Sequence, residues 1–159
     1  MDLTFKTSEG RFNYRACAVI INNNKILAMK DKRSPYYYLP GGRVALHESA
    51  EDALLRELEE ELHIKGMIVR PLWLNQSFFT EDVTGERFHE ICVYFLVDVS
   101  DTYILKKGES FISNEGKRSH TFIWLPFENL KQEYFYPNFI KTEIFNLPSE
   151  FTIRTEIEE

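Results

Sequence analysis

Strand-forming runs outnumber helical ones along this sequence, and their order predicts an α+β fold built on a mixed β-sheet. Three observations carry that prediction. Apolar and aromatic runs rich in β-branched residues recur between residues 12 and 125, punctuated by Asn, Gly and Pro. One segment, residues 49–62, repeats its apolar positions with the period of an amphipathic helix. Aromatic residues reach 14%, with 13 Phe and 8 Tyr, which suits strands and stacking surfaces better than a plain helical bundle.

Taken in order, Phe12 to Asn22 reads as a strand, Asn22-Asn23-Asn24 as a turn, and Lys25 to Lys30 as the hairpin partner. Tyr36-Tyr37-Tyr38-Leu39 is a short extended piece. It ends at Pro40-Gly41-Gly42, a sequence that continues a strand poorly. Ser49 to Leu62 is the strong helix, and Ser49 with Asp52 three residues on resembles a capping box. Met67 to Phe79 and Phe88 to Val97 read as strands joined by a hairpin loop through Glu81-Asp82-Val83-Thr84-Gly85. His120 to Leu125 is a further strand, and Pro126 to Leu130 a helical turn. Asn138 to Phe145 forms a final amphipathic helix, and Thr155 to Glu159 is expected to fray. Without repeats or a Pro/Gly/Ser linker, residues 1–159 are expected to form one domain, long enough to bury a real core.

The net charge of −6, with no basic stripe, argues against long nucleic acids as partners. A small polyanion remains compatible if divalent cations bridge it to carboxylates. Cys17 and Cys92 lie inside apolar runs and read as buried thiols; no Cys/His spacing suits zinc. Met1 to Lys6 does not read as a signal peptide, and no apolar run reaches the roughly 18 residues of a membrane span. A reduced, cytoplasmic setting is the resulting expectation.

On a helical wheel with Glu57 at zero, Glu60 falls near −60° and Glu61 near +40°, at about 100° per residue. Three carboxylates therefore share one edge of the helix. Leu54, Leu58, Leu62 and Leu55 cover the arc from about 60° to 160° that should face the core, with the carboxylates at its rim. Like charges at this spacing repel and need compensation. Arg56 supplies one positive charge, and hard Mg²⁺ or Mn²⁺ suits carboxylate oxygens. The plainer reading of Glu57, Glu59, Glu60 and Glu61 is a solvated acidic face. Gly41-Gly42 weighs against it, because the glycines let the backbone approach a ligand closely.

From Gly42 the chain reads Gly42, five residues, Glu48, seven residues, then Arg56-Glu57-Leu58-Glu59-Glu60-Glu61-Leu62-His63-Ile64. This resembles the Nudix box, G-x5-E-x7-R-E-U-x-E-E-x-G-U with U a bulky aliphatic residue, over residues 42–64. Eight of its nine specified positions agree. The departure is His63, where the pattern has a Gly that ends the helix, a position that favours the left-handed conformation. His tolerates that conformation better than most residues, so a small stability cost and intact metal binding are expected. The resemblance implies an α/β/α sandwich with a mixed sheet between helices. It implies a Mg²⁺-dependent pyrophosphohydrolase in which water attacks phosphorus in a nucleoside diphosphate derivative, such as a nucleoside triphosphate or a nucleotide-sugar-like compound. It also implies roles. Glu57, Glu60 and Glu61 would be metal ligands with the Gly41 carbonyl, Glu60 and Glu61 also serving catalysis. Arg56, paired with Glu48, would orient the carboxylates, and Gly42 would shape the loop. The rival reading is a nucleotide-sensing Nudix domain without turnover.

A base often comes from a later loop in this family. Glu115 is preferred, with Glu109, the strand residue Glu90 and a box glutamate as alternatives. Tyr36, Tyr37, Tyr38, Phe78 and Phe79 suit base stacking, or else strand packing. Tyr38 and Phe79 are the preferred pair. Arg33 and Arg43 are candidate phosphate contacts. Asn138 suits reading a purine edge, or else capping the last helix. Thr80 stands where ADP-ribose enzymes of the family often carry a proline. Which nucleotide is cut, which phosphorus is attacked, and whether the chain forms a homodimer stay open.

Overall fold

The computed structural model describes residues 1–158. Nine strands form one mixed sheet: β1 (Thr4–Thr7), β2 (Gly10–Asn22), β3 (Lys25–Lys30), β4 (Gly41–Arg43), β5 (Met67–Thr80), β6 (Arg87–Asp98), β7 (Ser110–Glu115), β8 (Arg118–Pro126) and β9 (Thr152–Ile157). The main path runs β7-β8-β3-β2-β6-β5-β9. Pairings β2–β6 and β5–β9 are parallel and the rest antiparallel. Two α-helices, α1 (Ala50–Leu62) and the single turn α2 (Ile140–Glu143), accompany the sheet.

The long strand β2 organises the molecule. One edge pairs with β6 over residues 11–20, and the other is shared by β1, β4 and β3 in succession. Its inner residues alternate between two cores, as strand geometry requires. Ala16, Ala18 and Ile20 join Val93, Phe95 and Val97 beneath Leu54, Leu58 and Leu62 of α1. Cys17 and Val19 join Cys92, Tyr94 and Trp73 on the opposite face, under Phe139, Ile140 and Ile144. Both cysteines are buried and free. The sheet therefore lies between helical layers. Among the described residues no helix is long and apolar enough to cross a membrane.

Several expectations need correction. The tail does not fray: Thr155 to Ile157 belong to β9, which pairs with Gln76 to Phe78 of β5, while Glu159 lies outside the described residues. Gly41-Gly42 does not stop extended structure but starts β4, which pairs with Ala16 and Cys17. The last helix is four residues rather than residues 138–145. The segment before Arg118, read as loop, is strand β7. On α1, Leu55 is 38% exposed, while Ala50, Ala53 and Glu61 are buried. The inward arc thus runs from about −40° to 140° on the wheel, centred near Glu61 rather than on the leucines alone.

Candidate active site

Helix α1 starts cleanly because Ser49 Oγ accepts the Asp52 N–H at 3.0 Å. It ends at His63, whose φ of 57° and ψ of 38° are left-handed and whose N–H bonds the Glu59 carbonyl. Three side chains then bind its last turn and cap to neighbouring segments. His63 Nε2–H donates to the Asn114 carbonyl at 2.6 Å, the Ser113 hydroxyl to the Glu61 carbonyl at 2.7 Å, and the Tyr103 hydroxyl to the Leu62 carbonyl at 2.8 Å. Two of these tie β7 to the helix end and bring Glu115 to the same cleft as the box carboxylates.

Glu61, only 6% exposed, accepts the Gly41 N–H at 3.0 Å. Burial holds its carboxyl well above the usual range; the charges of Glu57 and Glu115 add to this, and the Gly41 bond opposes it. Burial also raises Glu57, against the pull of Arg56. Gly42 lies directly under Glu57, where a Cβ would stand 2.5 Å from Oε1. Any side chain there would displace the carboxylate.

Arg56 organises these groups. It grips Glu48 through Nε at 2.8 Å and Nη2 at 2.9 Å, and Nη2 also reaches the Arg43 carbonyl at 3.2 Å. Its Nη1 reaches Glu57 at 3.0 Å and Glu60 at 3.4 Å. The guanidinium bonds hold the Glu48 carboxyl down to about 2.

The carboxylates face an open cleft of about 580 Å³. Arg33, Tyr38, Arg43, Phe79 and Glu115 line it together with Glu57, Glu60 and Glu61. Asn138 stands outside that lining, and its amide donates to Glu158 at 2.8 Å instead of capping α2. Glu109 pairs with Lys25 at 2.7 Å, next to the other end of β7, about 20 Å of strand from Glu115. Glu90 does line the cleft, with Asn13 Nδ2 at 3.3 Å and Arg15 Nη1 at 3.9 Å. Tyr37 packs in the core under Lys30, and Phe78 packs at a tilt against His89 away from the cleft.

Of the cleft floor, sequence reasoning singled out Glu90 alone. Sheet register aligns Asn13, Glu90, Ser77 and Glu156 across β2, β6, β5 and β9. The signal was a polar residue at the inward register of an otherwise apolar strand. Asp31, Arg118 and His120 also went unnoticed, because pairing of β8 with β3 and β7 assembles them. In all, ten carboxylates and four arginines line the cleft.

The NUDIX domain profile matches residues 11–142, so β9 lies beyond the matched span. The chain is 36% identical over 84 residues to an ADP-ribose pyrophosphatase of Methanocaldococcus jannaschii, covering 51% of this chain and 47% of that protein. It is 39% identical over 79 residues to a putative 8-oxo-dGTP diphosphatase of Bacillus subtilis, covering 44% and 53%. The chain thus spans about half the length of the curated relatives it matches. The MutT protein of Methanosarcina mazei Go1 shares the fold with a TM-score of 0.59 at 19% identity, over 86% of this chain and 91% of that one. The box helix, the glycines beneath it and most of the sheet that carries them fall inside one family's bounds, and the chain belongs to the Nudix family.

Proposed function

We infer that this chain is a divalent-cation-dependent pyrophosphohydrolase that opens the P–O–P link of a small nucleoside diphosphate derivative by water attack on phosphorus. The observation that carries this reading is the buried Glu61, set beside Glu57 in a cleft that Glu115 and four arginines also line. Unbalanced carboxylates of this kind hold together best around a cation. The donor chemistry fits: every side-chain candidate is a hard oxygen, the kind Mg²⁺ or Mn²⁺ prefers. Among the described residues no three acidic or imidazole side chains already enclose one point. Arg56 Nη1 occupies one Glu57 oxygen and both Glu60 oxygens, so a cation would compete with the guanidinium for them.

Glu57, Glu60, Glu61 and the Gly41 carbonyl would hold the ion, which when bound supplies neutralisation of the diphosphate and a lowered pKa for the attacking water. Arg56, locked to Glu48, keeps Glu57 and Glu60 on the cleft side of the helix. Glu115 takes the proton from water, as the carboxylate that enters from outside the box. Arg33 and Arg43 meet phosphate oxygens, and Tyr38 and Phe79 flank the group attached to them. The named relatives support two substrate classes, a nucleotide sugar such as ADP-ribose and a purine nucleoside triphosphate.

A panel of nucleotide diphosphate derivatives, incubated with Mg²⁺ or Mn²⁺ and read by product mass, tests the reading. Release of phosphate, pyrophosphate or a nucleoside monophosphate is expected, and Glu61→Gln should abolish it. No turnover across the panel would overturn the proposal.

A further inference from the structure

His120 lies on β8 opposite Ser113 of β7, and its side chain is 1% exposed. Its Nε2 is 3.1 Å from Glu115 Oε1. Its Nδ1 is buried without a hydrogen-bond partner, and 3.9 Å from Asp31 Oδ2. That separation is too long for a hydrogen bond but leaves the ring between two carboxylates. Asp31 is itself fixed: it accepts the Tyr38 hydroxyl at 3.2 Å and the Arg33 N–H at 2.8 Å, with Arg118 Nη2 at 3.5 Å.

Leaving a buried polar atom unpartnered is unfavourable by about 1–3 kcal/mol. An apolar ring would fill the space beside Phe122 without that cost. Histidine at this position therefore needs a reason beyond packing, and the Glu115 carboxylate supplies one. Among the described residues, His120 is the one side chain within hydrogen-bond distance of that carboxylate. Glu115 lines the same cleft as Glu57 and Glu61.

We propose that His120 is a positioning residue for Glu115: its Nε2–H donates to the Glu115 carboxylate and holds it in the cleft. The role rests on the reading of Glu115 as proton acceptor. The ring also sits near the arginines at the cleft rim, since Asp31, 3.9 Å from Nδ1, accepts hydrogen bonds from Arg33 and Arg118.

Two measurements test it, and the first needs no turnover. In ¹⁵N-labelled protein, His120 should carry its proton on Nε2 with slow solvent exchange, and Glu115→Gln should shift or broaden that signal. A proton on Nδ1 alone, or a signal indifferent to Glu115→Gln, overturns the proposal. The second is a kinetic cycle on the best panel substrate with Mg²⁺. His120→Ala should lower kcat about tenfold to a hundredfold, the usual loss when an orienting partner is removed. KM should change little. His120→Gln, which keeps an amide donor near the place of Nε2, should recover most of the rate. In the Glu115→Gln background, His120→Ala should have little further effect. Independent, multiplying losses, or no rescue by Gln in a protein that melts like wild type, would overturn the role. If the wild type hydrolyses nothing, the functional reading fails while the NMR measurement still decides the His120–Glu115 contact.

Discussion

His63 does two things that the glycine of the family pattern does only in part. It adopts the left-handed cap, and it adds a 2.6 Å hydrogen bond to the carbonyl of Asn114, next to Glu115. The left-handed conformation disfavours a residue with a Cβ by about 1–2 kcal/mol, and one hydrogen bond returns about 1 kcal/mol. The two terms nearly cancel. His63→Gly should therefore stay within about 1 kcal/mol of wild type, whereas His63→Ala keeps the strain, loses the bond and falls about 1 kcal/mol below it. Urea midpoints with unchanged m-values decide this; an alanine variant as stable as the glycine variant would refute it. The left-handed cap was legible in the sequence from the box pattern. The bond to Asn114 was not, because its partner lies 51 residues away.

At the scale of elements, α1 is both core and site, and the helical wheel located its faces only approximately. Leu58 and Leu55 looked equivalent on an apolar arc, but Leu58 is fully buried and Leu55 is 38% exposed. Leu58→Ala should destabilise by about 2–5 kcal/mol. Leu55→Ala should have an effect of about 0.5 kcal/mol. Equal losses in thermal unfolding would mean that the inward arc is not centred near Glu61. Strands β2, β3, β5, β6 and β8 were readable from β-branched and aromatic runs, and α1 from its period and its Ser49 cap. Strands β1, β4, β7 and β9 were not, since each is short, polar or glycine-rich and becomes extended only by pairing with a longer neighbour. The site follows the same division. Box residues announced themselves by spacing, whereas Asn13, His120 and Glu156 reach the cleft through sheet order, which local sequence does not encode.

For the whole molecule, one quantity has a bearing on binding. Ten carboxylates against four arginines line the cleft, an imbalance equal to the −6 net charge of the whole chain. By formal charge the residues outside the cleft sum to about zero, so the negative field is concentrated at the cleft, where the proposed polyphosphate would enter. In EDTA, binding of a nucleoside triphosphate should strengthen as salt rises toward physiological strength, where screening acts over about 8–10 Å. With saturating Mg²⁺ the same titration should be flat or weaken. Calorimetry in the two buffers checks this, and weakening with salt in EDTA would contradict it. The carboxylate excess thereby makes the cleft a gate on the charge state of its ligand. If the proposed function holds, a bare nucleotide would be turned away and one that arrives with its counter-ions admitted, so occupancy in a cell would follow free divalent cation as closely as it follows nucleotide.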